Sequence, residues 1–309
     1  MTGLRGWGVA FAAAVLAAGI SAGAQQIAFT WDDVPAHSAL PSGETRVEIG
    51  RKLIEAMKAE HMPPVYGFVN GVAMEREPAS EPMMKDWRAA GFPMGNHAWS
   101  HMNLNTAKLQ DWEADVLKNE PVLEKYAAKD AAGSDSWHWL RFPYLAEGDT
   151  TEKRDGARKF LAEHHYKIAA VTMSFGDYMW NEPYARCVAK NDTAAIAQLE
   201  SSYLDAAAQD AYFRRAMAKA LFGHDIPYVL LMHVGSFDAR MLPRLLKMYR
   251  DKGFSFVTLE DAEKDPFYKG SVDPSSPDGP DSLEGAIGAK GLNMPERPKM
   301  AVDVNGMCR

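Results

Sequence analysis

Apolar residues recur along this chain in two alternating rhythms. Short continuous runs read as strands buried on both faces: Ile27-Ala28-Phe29-Thr30-Trp31, Val65-Tyr66-Gly67-Phe68-Val69, Phe92-Pro93-Met94-Gly95, residues 137–142 and 167–173, Tyr228-Val229-Leu230-Leu231-Met232, and residues 254–259. Between them lie segments with helical period. Val47, Gly50, Leu53, Ile54 and Met57 repeat at helix spacing until Pro63-Pro64 stops them, and residues 82–90, 106–129, 152–164 and 239–251 read the same way. Residues 192–222 are predicted as two Ala-rich helices ended by Gly223. Such β-then-α repeats imply an α/β fold, a parallel sheet covered by helices. Pattern alone leaves open sheet and closed barrel undistinguished. After residue 265 the chain turns to Pro, Gly, Ser and Asp (DPSSPDGPDS), which predicts an extended or partly mobile C-terminal tail.

The first residues break this rhythm. Arg5 precedes an unbroken small-apolar run from Val9 to Ile20, and Ala22-Gly23-Ala24 fits a small-x-small cleavage site. Residues 1–24 are therefore expected to be a signal peptide, and the protein secreted or periplasmic. The run is shorter and more Ala-rich than the about 20 strongly apolar residues of a spanning helix, and no other stretch is apolar enough to cross a bilayer. With 47% apolar and 24% charged positions in 309 residues, the chain has the apolar content of a folded core, which excludes a disordered protein. A formal charge of −7 argues against nucleic-acid binding, which needs a basic surface. Cys187 and Cys308 form one disulfide or remain two buried thiols; the sequence leaves both open.

In parallel α/β folds the loops after the strand C-termini carry function. Here five such ends bear ionisable groups: Asp32-Asp33 after the first strand, His97 and His101 after the third, Arg141 with Pro143-Tyr144 after the fourth, Asp177 after the fifth, and His233 at the sixth. In a helical turn the i, i+4 spacing of His97 and His101 puts both imidazoles on one face, where they can share a metal ion. Nine histidines make such a pair common by chance, so the weight rests on a nearby carboxylate to complete an open three-ligand site. Asp32-Asp33 offers it. Adjacent strand residues point to opposite sides, so one carboxylate can bind metal while the other accepts a proton. Of the remaining histidines, His37, four residues beyond Asp33, can line the site but is expected as a loop residue; His138 lies between tryptophans, and His61, His164, His165 and His224 lie at helix ends and read as structural. Trp31, Trp99 and Trp180 can stack on sugar rings or pack in the core.

Taken in order, IAFTWDD, NHAWSH, RFPY, FGDY and LLMH resemble the five motifs of the polysaccharide deacetylase family, the carbohydrate esterases with the NodB-homology domain. The motifs run from Thr30 to His233, and compatible elements continue to about Glu260. The resemblance implies a distorted (β/α) barrel of about seven strands. It frames a single domain over 25–262, with a helical insertion near 181–226 and a C-terminal tail over 263–309. It also implies one divalent metal ion, zinc first, with cobalt, nickel or manganese as alternatives. The implied reaction is hydrolysis of N- or O-acetyl groups from a glycan of chitooligosaccharide, peptidoglycan or xylan type.

Position by position, the resemblance makes Asp32 the general base that takes a proton from metal-activated water. Asp33, His97 and His101 become the metal ligands, Arg141 the residue that holds Asp32, and the Tyr144 N–H a donor to the oxyanion. His233 becomes the general acid, adjusted by Asp177, while Leu231, Tyr178 and Trp31 wall the acetyl pocket. The chain departs from the family pattern at Trp31, Val34, Ala98 and Tyr178, which touches no acid, base or ligand but leaves the substrate open. The expected partner is an acetylated oligo- or polysaccharide, with no nucleic acid and no membrane span after signal cleavage. Oligomeric state is not legible. Two alternatives stand beside this reading: a catalytically inactive secreted glycan-binding protein on the same scaffold, and a metal-dependent cyclic amide hydrolase.

Overall fold

A computed structural model describes residues 25–127, 136–278, 282–299 and 302–309. The signal peptide expected over 1–24 lies outside the described residues, as do the last two positions of the helix expected over 106–129. The strands are β1 (Gln25–Val34), β2 (Tyr66–Val69), β3 (Met94–Asn96), β4 (Trp139–Leu140), β5 (Lys167–Ile168), β6 (Tyr228–His233) and β7 (Phe254–Phe256). All pair in parallel, in the order β5-β4-β3-β2-β1-β6, with β7 on the first residues of β1. A bridge from Met173 to Leu230 joins the chain beyond β5 to β6 and curls the sheet toward closure. This is the expected α/β architecture, a distorted barrel. Strand β1 lies between β2 and β6, and every residue from Ile27 to Asp32 is buried. That double burial is why the run carries no polar alternation.

The helices outside the sheet are α1 (Arg46–Ala59), α2 (Val72–Arg76), α3 (Glu81–Ala89), α4 (Leu109–Ala127), α5 (Thr151–Glu163), α6 (Asn181–Ala189), α7 (Thr193–Phe222) and α8 (Ser236–Asp251). Three short ones follow: α9 (Leu259–Ala262), α10 (Lys269–Val272) and α11 (Leu283–Ala289). Local chemistry sets their ends. Thr45 and Glu48 form a reciprocal capping box that starts α1, and Ile49, Leu53, Ile54 and Met57 form its buried face. Among the described residues no helix is long and apolar enough to cross a membrane.

Two expectations need correction. Residues 192–222 do not make two helices: α7 is one helix of 30 residues. Neither Gly nor Pro interrupts it, and its Ala, Leu, Gln, Lys and Arg residues propagate a helix at little cost. Asp192 caps its start, and Gly223, at φ 80°, closes its end.

The C-terminal segment is also not extended. Its Pro and Gly break it into short pieces, but Tyr268, Leu283, Ile287 and Val304 are buried, α11 packs on α7, and Arg214 pairs with Glu284. Cys187 in α6 is bonded to Cys308, and Arg186 donates to the carbonyls of Asn305 and Met307. The disulfide spans 121 residues. Cys308→Ser is expected to cost about 2–5 kcal/mol, read as a lower urea midpoint. An unchanged midpoint would mean that the tether adds nothing to stability.

Candidate active site

Strand β1 delivers Asp32 and Asp33 to its C-terminal end. Regular alternation would send the two carboxylates to opposite faces. The register between β1 and β2 shifts between Trp31 and Val34, and Asp33 takes a left-handed conformation with φ 60°. Both carboxylates therefore face the same imidazole: Asp32 Oδ2 lies 3.7 Å and Asp33 Oδ1 3.6 Å from His97 Nε2. His101 Nε2 is 3.5 Å from that same Asp33 oxygen. The two histidines do not sit on a helical turn, as their spacing suggested. Residues 97–101 form an irregular loop in which Ala98 (φ 56°) and His101 (φ 59°) are also left-handed. Such backbone strain concentrates at sites where geometry is over-determined.

Asp33, His97 and His101 each offer a ligand atom, and these atoms lie within 4.8 Å of one another. The carbonyl of Arg141 accepts a hydrogen bond from His97 Nδ1 at 2.7 Å, which leaves the Nε2 lone pair facing Asp33. Burial drives the pKa of His101 down to about 4, against the opposing charge of Asp33, so this imidazole is neutral above that pH. For Asp33, burial pushes upward, but His97, His233 and His101 together win and hold its carboxyl below the ordinary range. Two imidazoles and one carboxylate are the donor set of an open mononuclear site for a first-row divalent ion. The residues fit a metal.

Charged pairs flank this cluster. On one side Arg141, wholly buried after β4, donates from Nη1 to Asp32 Oδ1 at 3.1 Å, from Nη2 to Thr30 Oγ1 at 3.0 Å and from Nε to the Ala169 carbonyl at 2.8 Å. On the other, His233 ends β6 directly opposite Asp32 in the strand register. Its Nδ1 donates to Asp177 Oδ1 at 3.0 Å and its backbone N–H to Asp177 Oδ2 at 2.6 Å. Burial alone would lower the pKa of His233, but the charge and hydrogen bond of Asp177, helped by Asp33 and Asp32, lift it to about 10.

A folded pKa raised from 6.5 to about 10 stabilises the fold fully below pH 6.5, and that stabilisation fades as pH rises toward 10. Asp177→Asn is expected to cost about 3 kcal/mol below the lower value, since it leaves a buried charge unpaired. In urea titrations its deficit against wild type should shrink as pH rises between these two values. A deficit independent of pH would show that the pair is not ionic.

A cavity of about 300 Å³ opens over these groups. Leu231 lines it, and Tyr144 and Tyr178 stand at its rim, 66% and 46% exposed. Tyr144 has φ 59° in the turn Pro143–Leu145, and its ring lies 4.5 Å from that of His101; the Tyr178 ring lies 5.1 Å from that of His233. Trp31 must be removed from the pocket wall. It is fully buried in the core and does not line the cavity, because the residue before Asp32 on a strand points to the other face. Trp180 is likewise buried, against Tyr203, and Trp99 lies under the ammonium of Lys118.

Sequence reasoning gave His37 the lesser of its two readings. Expected as a plain loop residue, it lines the cavity, with Nε2 3.6 Å from Asp33 Oδ2 and its ring 5.3 Å from that of His233. Its backbone is fixed by the N–H bond to the Val234 carbonyl at 2.6 Å and by Arg46 donating to the preceding Ala36 carbonyl at 3.0 Å. The available signal was position: it lies in the first loop beyond a functional strand end.

Known proteins point the same way. A family model described as polysaccharide deacetylase matches residues 20–163, which carry the site from β1 through the Arg141 turn. Among solved structures, wild-type BA3943, a CE4 family pseudoenzyme from Bacillus anthracis, aligns with a TM-score of 0.51 at 14% identity over 77% of this chain and 65% of that one. The chitin deacetylase of the fungal pathogen Colletotrichum lindemuthianum gives 0.50 at 18% identity, over 82% and 94% of the two chains. T48 deacetylase, solved with substrate, gives 0.50 at 18% identity over 78% and 92%. At these identities the likeness concerns the fold. No curated protein matches the sequence. Over residues 20–163 the chain is similar to the polysaccharide deacetylase family.

Proposed function

We propose that this protein is a metal-dependent deacetylase that acts outside the cytoplasm, after removal of residues 1–24, on N- or O-acetyl groups of a chitooligosaccharide, peptidoglycan or xylan. The domain over 25–262 carries the reaction. The observation that supports it best is convergence: Asp33, His97 and His101 meet at one point, with the Asp32–Arg141 pair on one flank and the His233–Asp177 pair on the other. Those three residues would hold the ion, zinc first, then cobalt, nickel or manganese. When bound, such an ion acidifies water and polarises an acyl oxygen.

The chain supplies the proton transfers. Asp32, aimed by Arg141, accepts a proton from the attacking water. The Tyr144 N–H, among the first N–H groups of its turn and so without a partner inside it, donates to the oxyanion. One donor of this kind is worth about 3 kcal/mol. His233, kept charged by Asp177, protonates the departing amine or alkoxide. Leu231 and Tyr178 bound the space for the acetyl group. A base that must start deprotonated and an acid that must start protonated give a bell-shaped pH–rate curve.

An acetate-release screen across acetylated glycans, with zinc, cobalt, nickel and manganese supplied separately, tests the proposal. Release from at least one glycan is expected. Silence on every glycan and model ester with every metal would favour a glycan-binding scaffold, although binding alone needs neither flanking pair. Opening of a cyclic imide without acetate release would favour the cyclic amide hydrolase.

A further inference from the structure

The strand expected over 167–173 stops at Ile168; Ala169 still donates to the Leu140 carbonyl at 2.8 Å, and the chain then leaves the sheet until Thr172 donates to the Val229 carbonyl at 3.1 Å and Met173 bridges Leu230. The gap has a chemical cause. Ala169 and Ala170 turn their carbonyls to the Arg141 guanidinium, at 2.8 Å from Nε and 3.5 Å from Nη2. The Ala170 N–H, also lost to the sheet, donates to Glu263 Oε1 at 2.7 Å. Glu263 follows α9, beyond all five motifs.

Glu263 is buried, and its second oxygen, Oε2, has no hydrogen-bond partner among the described residues. Burial raises its pKa well above the ordinary carboxyl range, opposed only in part by the Ala170 N–H and the Arg141 charge. A buried carboxyl with one orphan oxygen is costly, and the single hydrogen bond it accepts from the Ala170 N–H offsets only part of that cost. Stability is therefore a poor account of its presence.

Its place in the hydrogen-bond chain is a better one. Only one Arg141 nitrogen, Nη1, hydrogen-bonds Asp32, at 3.1 Å. The direction of that bond is set by the anchors on the other nitrogens: Thr30 and the two carbonyls. We propose that Glu263 is a positioning residue: by fixing the Ala170 peptide it holds the carbonyls that grip Arg141, and through Arg141 it aims Asp32. The catalytic consequence rests on the deacetylase reading; the link from Glu263 to Arg141 does not.

The test compares Glu263→Ala and Glu263→Gln in the full chain, with Glu263→Met, which keeps volume without an acceptor, as the variant to use if the alanine protein does not fold. The first readout is solvent exchange of the Arg141 Nε–H by ¹⁵N NMR, which needs no turnover. The second is kcat and KM for acetate release, with metal content measured alongside. Without an acceptor, exchange should quicken and kcat fall by about tenfold each, the loss expected for one hydrogen bond, while KM and metal content stay as in wild type. Glu263→Gln, whose amide oxygen still accepts from Ala170, should recover most of both. Unchanged exchange in Glu263→Ala or Glu263→Met would overturn the proposal, as would equal losses in the Gln variant or a change confined to KM. A wild type that releases no acetate would sink the deacetylase reading, while the exchange rates would still decide the Glu263–Arg141 link.

Discussion

Asp32→Asn should lower kcat by about 10²- to 10⁴-fold, the usual contribution of a general base, while the metal stays bound. The amide is the same size as the carboxylate but cannot take a proton at neutral pH. Removing a charge beside a buried guanidinium ordinarily endangers the fold. Here Arg141 keeps Thr30 Oγ1 and the Ala169 carbonyl as acceptors, so it is not left orphaned. The metal should remain because His101 approaches Asp33, the other carboxylate, at 3.5 Å. Acetate release and elemental analysis of the same preparation check both halves. Wild-type turnover would remove Asp32 from the base role, and metal lost together with turnover would make it a ligand instead.

His101→Ala should lose metal and activity together. The substitution deletes one of three converging donors and leaves Asp33 and His97 to hold an ion alone. Outer partners of metal ligands are worth roughly 10- to 100-fold in affinity, so loss of a ligand itself should exceed that range. His101 is half-buried at the rim of the cavity, so its truncation should scarcely alter thermal stability in the metal-free protein. Zinc titration by calorimetry on wild type and variant measures the affinity. Undiminished binding would mean that His101 is not a ligand.

The contrast between these two variants follows from a distinction that lies in the backbone. Asp32 and Asp33 are neighbours with identical side chains, and the residue pattern assigned them opposite faces. The register shift and the left-handed Asp33 instead bring both to His97, with Asp32 held by Arg141 and Asp33 shared with His101. Trp31 shows the same rule from the other side: the motif placed it by the pocket, yet alternation buries it in the core. His37 was legible as a neighbour of the site only by its closeness to β1, because a lone loop histidine has no period to betray its direction. The short β4 and β5 were overestimated for a related reason. Apolar runs report burial, and Ala169 and Ala170 are apolar although their two carbonyls and the Ala170 N–H serve Arg141 and Glu263 rather than a neighbouring strand.

The linear order of residues was sufficient for the alternation of strands and helices, for the parallel α/β class, and for the choice of strand ends that bear clustered ionisable groups. These are local properties: a run of apolar residues or a 3.6-residue period is complete within its own segment. Tertiary structure alone decided that two adjacent carboxylates converge, that the tail packs and is tied by Cys187 to Cys308, and that Glu263 braces a peptide 93 positions away. Each of these depends on pairing between distant segments, where register and close packing choose among arrangements that the local pattern leaves equal.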